Sequence, residues 1–190
     1  MTLDVSRETL SRLEAYVALI RRWQSTVNLV SRGDLPRLME RHVQDSLALL
    51  PHVRGRIADL GSGAGFPGIA LAIAGDLPVT LVEADQRKAA FLREALRTTA
   101  APGEVVAQRF EEVAGPFDTV VARAVAPIEA LLTLIAPKLT AEGRGVFLKG
   151  RSAQTELAQA TREWSFDAEL HEGASPESVI VAISRIRRQD

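Results

Sequence analysis

The stretch from Gly61 to Gly68 constrains this chain more than any other. It places Gly61, Gly63, Gly65 and Gly68 directly after the short apolar run Ile57–Leu60. A continuous apolar run closed by a glycine turn reads as a buried strand, and the apolar residues that resume at Ile69 and continue to Ala74 read as a helix. Glycines at such a turn allow positive φ and close approach of the backbone to a ligand, and the following helix N-terminus favours negative charge. From there the chain keeps alternating. Strands are predicted over residues 78–83, 104–108, 117–122 and 145–149. Helices are predicted over 87–99 and 128–139, and a further one, capped by Ser152, ends near Trp164. Two β-rich runs on either side of residues 173–177 read as a hairpin. Strands alternating with helices imply an α/β fold, a doubly wound parallel sheet.

Ahead of this unit, residues 7–27 read as an amphipathic helix, with Leu10, Leu13, Val17, Ile20, Trp23 and Val27 every three or four positions. After a break at residues 31–33, Asp34 caps a second helix that has Pro36 in its first turn and is stopped by Pro51. Residues 1–55 are therefore expected to form an N-terminal helical extension on a domain of residues 56–190, the two making one compact unit. A terminal antiparallel hairpin on a doubly wound sheet resembles the class I S-adenosylmethionine-dependent methyltransferase (Rossmann-like) fold. The turn agrees: its pattern is GxGxG, and Phe66 stands where a dinucleotide site would carry its third glycine. S-adenosyl-L-methionine has no pyrophosphate that would require that glycine. Glu83 lies 22 residues after Gly61, the spacing at which an acid bonds a ribose diol. Asp59 is placed to orient the loop from below. The bland alternative is a tight structural turn followed by a solvated Glu.

Composition narrows the chemistry. With no cysteine among 190 residues, disulfides, thiolate metal sites and a cysteine nucleophile are all excluded. No further His or Cys falls at ligand spacing from His42, so no metal site is expected. No apolar run approaches a membrane span, and the N-terminus lacks an apolar signal region, so a cytoplasmic protein is expected. The net charge of −1 conceals a split. Residues 1–56 carry nine Arg and six acids, or +3, and residues 57–190 carry fourteen basic residues and eighteen acids, or −4. The segment after the fourth strand, residues 122–127, lacks the Asn/Asp-Pro-Pro-aromatic pattern used on exocyclic amines, and pyrimidine C5 transfer needs a thiolate. What remains is an acceptor already nucleophilic: a ring nitrogen, a hydroxyl or a carboxylate. Guanine N7 fits, because its in-plane lone pair carries no proton and needs only positioning. Arg123, at a strand end, would hold either the cofactor carboxylate or the guanine edge, against the alternative of a surface ion pair.

These residues resemble the glucose-inhibited division protein B (RsmG) family of bacterial 16S ribosomal RNA guanine-N7 methyltransferases. The resemblance rests on Asp59–Ile73 (DLGSGAGFPGIALAI), with Arg41–Leu47 (RHVQDSL), Ala122–Val125 (ARAV) and Leu148–Gly150 (LKG) in order, and with Asn28-Leu29 after the first helix. It covers nearly the whole chain. It implies methyl transfer from S-adenosyl-L-methionine to N7 of one guanosine in 16S rRNA, presented as rRNA or as a small-subunit assembly particle. By the resemblance Gly61, Gly63, Phe66 and Glu83 line the cofactor pocket, and Asp59, Ser62 and Gly68, in or just before the same turn, are expected in the cofactor site with them. Phe110 and Glu111 would lie near the adenine, with Phe110 replacing a small residue of the family. Arg123 and Lys149 would face the methyl-transfer cleft.

His42, Asp45 and Ser46 sit at i, i+3 and i+4, one helix face, where they would orient the guanosine or close the cleft, or simply pack as a satisfied pair. His52 and His171 are expected to stand alone at the surface. Trp23 and Trp164 fit helix core positions, and Tyr16 is open between core and stacking roles. Three rivals stand beside this reading: a small-molecule methyltransferase, a nicotinamide-dependent oxidoreductase and a non-catalytic RNA-binding factor. A monomer is the default, with no membrane partner.

Overall fold

Period-two alternation decides which way each strand faces, and it divides the molecule into two cores. A computed structural model describes residues 5–123 and 125–189; Ala124, part of the 122–125 block, lies outside them. The strands are β1 (Ile57–Leu60), β2 (Val79–Val82), β3 (Gly103–Val106), β4 (Phe117–Arg123), β5 (Leu139–Lys149), β6 (Trp164–Glu172) and β7 (Val179–Arg188). They form one sheet in the order β3-β2-β1-β4-β5-β7-β6. The first five are parallel, and β7 runs antiparallel to β5 and to β6. This is the doubly wound sheet with a terminal hairpin that the sequence predicts.

On one face Ile57, Leu81, Val121, Val146 and Ile180 meet helices α1 (Arg7–Trp23), α3 (Gly68–Gly75) and α4 (Gln86–Thr99). On the other, Ala58, Leu60, Val120, Phe147 and Val181 meet α5 (Ile128–Ile135) and α6 (Ala153–Ala160). The N-terminal segment belongs to the first core outright. Leu13, Tyr16, Ile20, Leu38, Val43 and Leu49 are wholly buried there.

Four local expectations need correction. First, α1 ends at Trp23 and not at Val27, because the Gln24 side chain captures the chain that follows. Its Oε1 accepts from the amides of Leu29 and Val30, and its Nε2 donates to the Val30 carbonyl at 2.8 Å. Second, residues 35–50 are not one capped helix. A 3₁₀ turn (Leu35–Arg37) leads into a π-helix (Leu38–Val43) and then a single α-turn, α2 (Gln44–Leu47). Asp34 caps nothing; it accepts from Ser31 Oγ at 2.7 Å and pairs with Arg41 at 3.3 Å. Third, α6 ends at Ala160, so Trp164 opens β6 and is a buried strand residue. Fourth, His52 and His171 do not stand alone: their rings meet, tilted by 31°, with centroids 4.2 Å apart.

Candidate cofactor and methyl-transfer site

In a doubly wound sheet, ligands bind beyond the carboxyl ends of the strands where the strand order reverses. Here that point lies between β1 and β4. Asp59 is paired with Val121 and with Leu81, so Gly61, Arg123 and Glu83, each two residues further on, emerge side by side at that edge. Arg123 pairs with Leu148, which brings Lys149 to the same rim.

The glycine turn leaves β1 with positive φ at Gly61 (67°), Gly63 (54°) and Gly65 (91°), a backbone that L side chains rarely adopt. Space matters as much as φ. A Cβ on Gly68 would lie 2.6 Å from Asp59 Oδ2, and one on Gly65 would lie 2.8 Å from Tyr16 Oη. At Gly63, by contrast, the nearest heavy atom would be the Gly61 carbonyl oxygen at 3.7 Å, so this side of the loop is open to a ligand. Glu83 braces the loop: its Oε2 accepts from the Gly63 amide at 2.8 Å and its Oε1 from the Asp85 amide at 2.9 Å. Ser62 turns inward, its hydroxyl donating to the Asp59 carbonyl at 2.9 Å.

Asp59 is fully buried under the turn. Its Oδ2 accepts from the Gly68 amide at 3.1 Å, while Oδ1 has no partner among the described residues. Burial pushes its pKa up to about 7, against the lowering effect of the Gly68 amide. Phe66 is buried beneath two side chains of the N-terminal segment, with ring centroids 5.1 Å from Tyr16 and 5.1 Å from His42. Tyr16, left open by the sequence, belongs to the core, and its hydroxyl donates to the Ala64 carbonyl at 2.5 Å.

Opposite the turn, Arg123 is largely buried, and its Nη1 has no hydrogen-bond partner among the described residues. Burial lowers its pKa, while the negative charge of Asp45 works in the other direction. A buried guanidinium with an unused N–H is a donor held for an acceptor, since leaving it unpaired costs about 1–3 kcal/mol or more for a charged group.

The expected cluster His42, Asp45 and Ser46 is only partly brought together. Ser46 Oγ donates to the His42 carbonyl at 2.7 Å, and Asp45 Oδ1 accepts from the Ser175 amide at 3.2 Å in the β6–β7 turn. The acid beside His42 is Asp34, 3.6 Å from Nε2, which is too long for a hydrogen bond. Burial, with Arg123 nearby, lowers the His42 pKa to about 4, so the ring is neutral at physiological pH and the two form no ion pair. Phe110 is buried 6.5 Å from Phe117, so its ring belongs to the core and only its backbone is left for a nucleobase. Glu111 is exposed beside it. Lys149 Nζ donates to the Ala126 carbonyl at 2.6 Å and pairs with Glu156 Oε2 at 2.8 Å. Sequence reasoning missed Glu156, Asp34 as the partner of His42, and Val125, which lies over Gly61. Only Val125 carried a signal, as a member of the 122–125 block.

An open loop face at Gly63, a bracing acid at the end of β2 and unused polar atoms on Asp59 and Arg123 together fit an adenosyl amino acid of the S-adenosyl-L-methionine type. Among the described residues no group of His, Asp and Glu could hold a metal ion, and no helix is long and apolar enough to cross a membrane.

Comparison with known proteins agrees. A family profile described as GidB: rRNA small subunit methyltransferase G matches residues 9–177. A ribosomal RNA small subunit methyltransferase G of Rhodospirillum centenum is 49% identical, over 96% of this chain and 87% of its own. Its namesake in Rhodopseudomonas palustris is 46% identical, over 97% of this chain and 84% of its own. Among solved structures, magnesium protoporphyrin IX methyltransferase from Synechocystis PCC 6803, with bound S-adenosylmethionine, superposes with a TM-score of 0.61. It is 14% identical, over 97% of this chain and all of that one, a likeness in fold.

Proposed function

Since this chain belongs to the rRNA small subunit methyltransferase G family, we propose that the cleft between the glycine turn and Arg123 is where it methylates N7 of one guanosine in 16S rRNA. The enzyme is an S-adenosyl-L-methionine-dependent methyltransferase with a class I fold. When bound, the cofactor supplies a sulfonium methyl group, electrophilic enough for a ring nitrogen.

The work left to the protein is orientation. Guanine N7 carries no proton, so no general base is needed, and nothing in the site resembles one poised for use. His42 is neutral but packed against Phe66, and Asp45 is engaged with the Ser175 amide. The open backbone at Gly63 and the Glu83 carboxylate receive the adenosyl end. Arg123 offers its unused N–H to the cofactor carboxylate or the guanine edge. Holding two partners in a near-attack geometry is by itself a large part of a methyl-transfer rate. The docking side for RNA is the N-terminal segment, whose residues 1–56 carry +3 against −4 for the rest. We take the working form to be a cytoplasmic monomer acting on rRNA or a small-subunit particle.

The unpartnered, buried Arg123 Nη1 at the end of β4 carries this reading. Its test is transfer of labelled methyl to 16S rRNA and to isolated small subunits, with nucleoside mass mapping of the product. A single 7-methylguanosine is expected. Arg123→Ala should lower transfer by about 100-fold with little loss of melting temperature. Methylation at another atom, or unchanged turnover in Arg123→Ala, refutes it.

A further inference from the structure

Lys149 is the last residue of β5, and its side chain is only 9% exposed. Its ammonium bridges two other elements. Nζ donates to the Ala126 carbonyl at 2.6 Å and meets Glu156 Oε2 of α6 at 2.8 Å. The same Glu156 oxygen accepts from the Ile128 amide at 3.1 Å, and Oε1 accepts from Ser152 Oγ at 2.7 Å. One cation–carboxylate pair therefore holds both ends of the turn from Ala126 to Ile128 that carries the chain from β4 into α5. Burial raises the Glu156 pKa, but the bonds from Lys149 and Ser152 outweigh it, and the group stays below the ordinary carboxylate value.

That turn begins one residue after Val125, one of the few large apolar side chains that stay exposed, at 41%. Val125 lies over the glycine loop: its Cγ2 is 3.2 Å from the place a Cβ on Gly61 would occupy. An exposed valine this close to the entrance glycine is placed to form a wall of the cleft, and the residue that follows it carries the carbonyl that Lys149 holds.

We propose that Lys149 and Glu156 are positioning residues which clamp the Ala126–Ile128 turn and so hold Val125 against Gly61 as the apolar wall of the cofactor cleft. This rests on the cofactor site proposed above. Lys149 then acts on the cofactor's fit through Val125 and touches neither the methyl group nor the acceptor. The two residues form one device, so removing either partner should have the effect of removing both.

The test uses the full chain with Lys149→Met, Glu156→Gln, the double variant and Val125→Ala. It measures S-adenosylhomocysteine binding by calorimetry, cofactor KM, RNA KM and melting temperature. Each single variant is expected to weaken S-adenosylhomocysteine binding roughly tenfold, because a turn that has lost one charge-assisted bond must be ordered again when the ligand binds. Cofactor KM should rise in parallel, RNA KM should stay unchanged, and the double variant should be no worse than the singles. Val125→Ala, at an exposed position that leaves folding intact, should weaken binding in the same direction. Three results overturn the clamp. One is loss of transfer in Lys149→Met with normal binding and a normal Glu156→Gln, which would put Lys149 on the reacting atoms. Another is a fall in melting temperature with cofactor binding unmoved. The last is unchanged binding in Val125→Ala. Should the unaltered enzyme bind no S-adenosylhomocysteine, the cofactor site itself fails, whatever the variants do.

Discussion

Asp59 shows how a single carboxyl links the loop's architecture to solution behaviour. It is fully buried, it accepts one backbone bond, and its pKa is pushed up to about 7. In the unfolded chain the same group titrates near ~4. Below that value it is protonated in both states. Between ~4 and ~7 only the unfolded chain gives up its proton, so stability falls as pH rises, and above ~7 the loss is complete. A raised value of this size corresponds to a few kcal/mol, on the order of 4. Asp59→Asn keeps an acceptor for the Gly68 amide and cannot titrate. Thermal melts across pH should show the variant close to the parent at pH 5 and several degrees above it at pH 8. Parallel pH profiles for the two proteins would refute the assignment. The sequence placed Asp59 beneath the loop correctly. It could not show that only one oxygen is bonded among the described residues, because the Gly68 amide reaches Oδ2 only through the tertiary path of the turn.

At the scale of elements, the N-terminal segment is a structural layer as much as an extension. α1 and residues 35–50 contribute Leu13, Tyr16, Ile20, Leu38, Val43 and Leu49 to the core that also holds β1, α3 and α4, and Tyr16 bonds the glycine loop directly. A fully buried apolar side chain stabilises by about 1.5–3 kcal/mol, and a whole domain retains only about 5–15. Six such side chains are therefore comparable to the entire margin. Residues 56–190 expressed alone should give no cooperative melt by circular dichroism, while the full chain gives one; a cooperative transition in the fragment would show that the sheet stands without its extension. The parallel strands and the glycine turn were legible because apolar runs and glycines report local geometry. Residues 35–50 were not. Leu38 and Val43 are both wholly buried five positions apart, and a π-turn, with the Gln44 amide bonded to the Met39 carbonyl, is what brings both inward. The periodicity of an α-helix cannot express that spacing, so His42 was assigned to Asp45 when its neighbour is Asp34. Glu156 was invisible for another reason: its partner lies on a different element, and only the packing of α6 against β5 brings them together.

Over the whole molecule, the split in charge supports the proposed RNA-facing side. The proposed cleft lies at the carboxyl edge of the sheet, where Asp34 and His42 are close enough to Arg123 for their charges to act on one another, and the exposed Arg32 and Arg37 belong to the same segment. Neither is engaged in an ion pair or side-chain hydrogen bond among the described residues. Arg97, in contrast, sits in the last turn of α4, at the opposite edge from the cleft. Binding to a polyanion through few phosphates has a shallow salt dependence, and each phosphate neutralised adds about 0.7–0.9 to the slope of log K against log salt. Charge reversal at Arg32 and Arg37 should therefore weaken binding of 16S rRNA fragments, flatten that slope by about one unit for each phosphate no longer neutralised, and leave S-adenosylhomocysteine binding unaltered. Reversal at Arg97 should change neither quantity. Filter binding from about 50 to 200 mM salt, over which log K falls linearly with log salt, separates the possibilities. An unchanged slope for Arg32 and Arg37 would place the RNA on another face. A weakening at Arg97 equal to theirs would mean that net charge, and not a defined surface, holds the substrate. A chain with an overall charge of −1 has little to spend on non-specific attraction, so on the proposed reading specificity comes from a few arginines beside the cleft and from the geometry that Arg123 and the glycine turn would impose on one guanine.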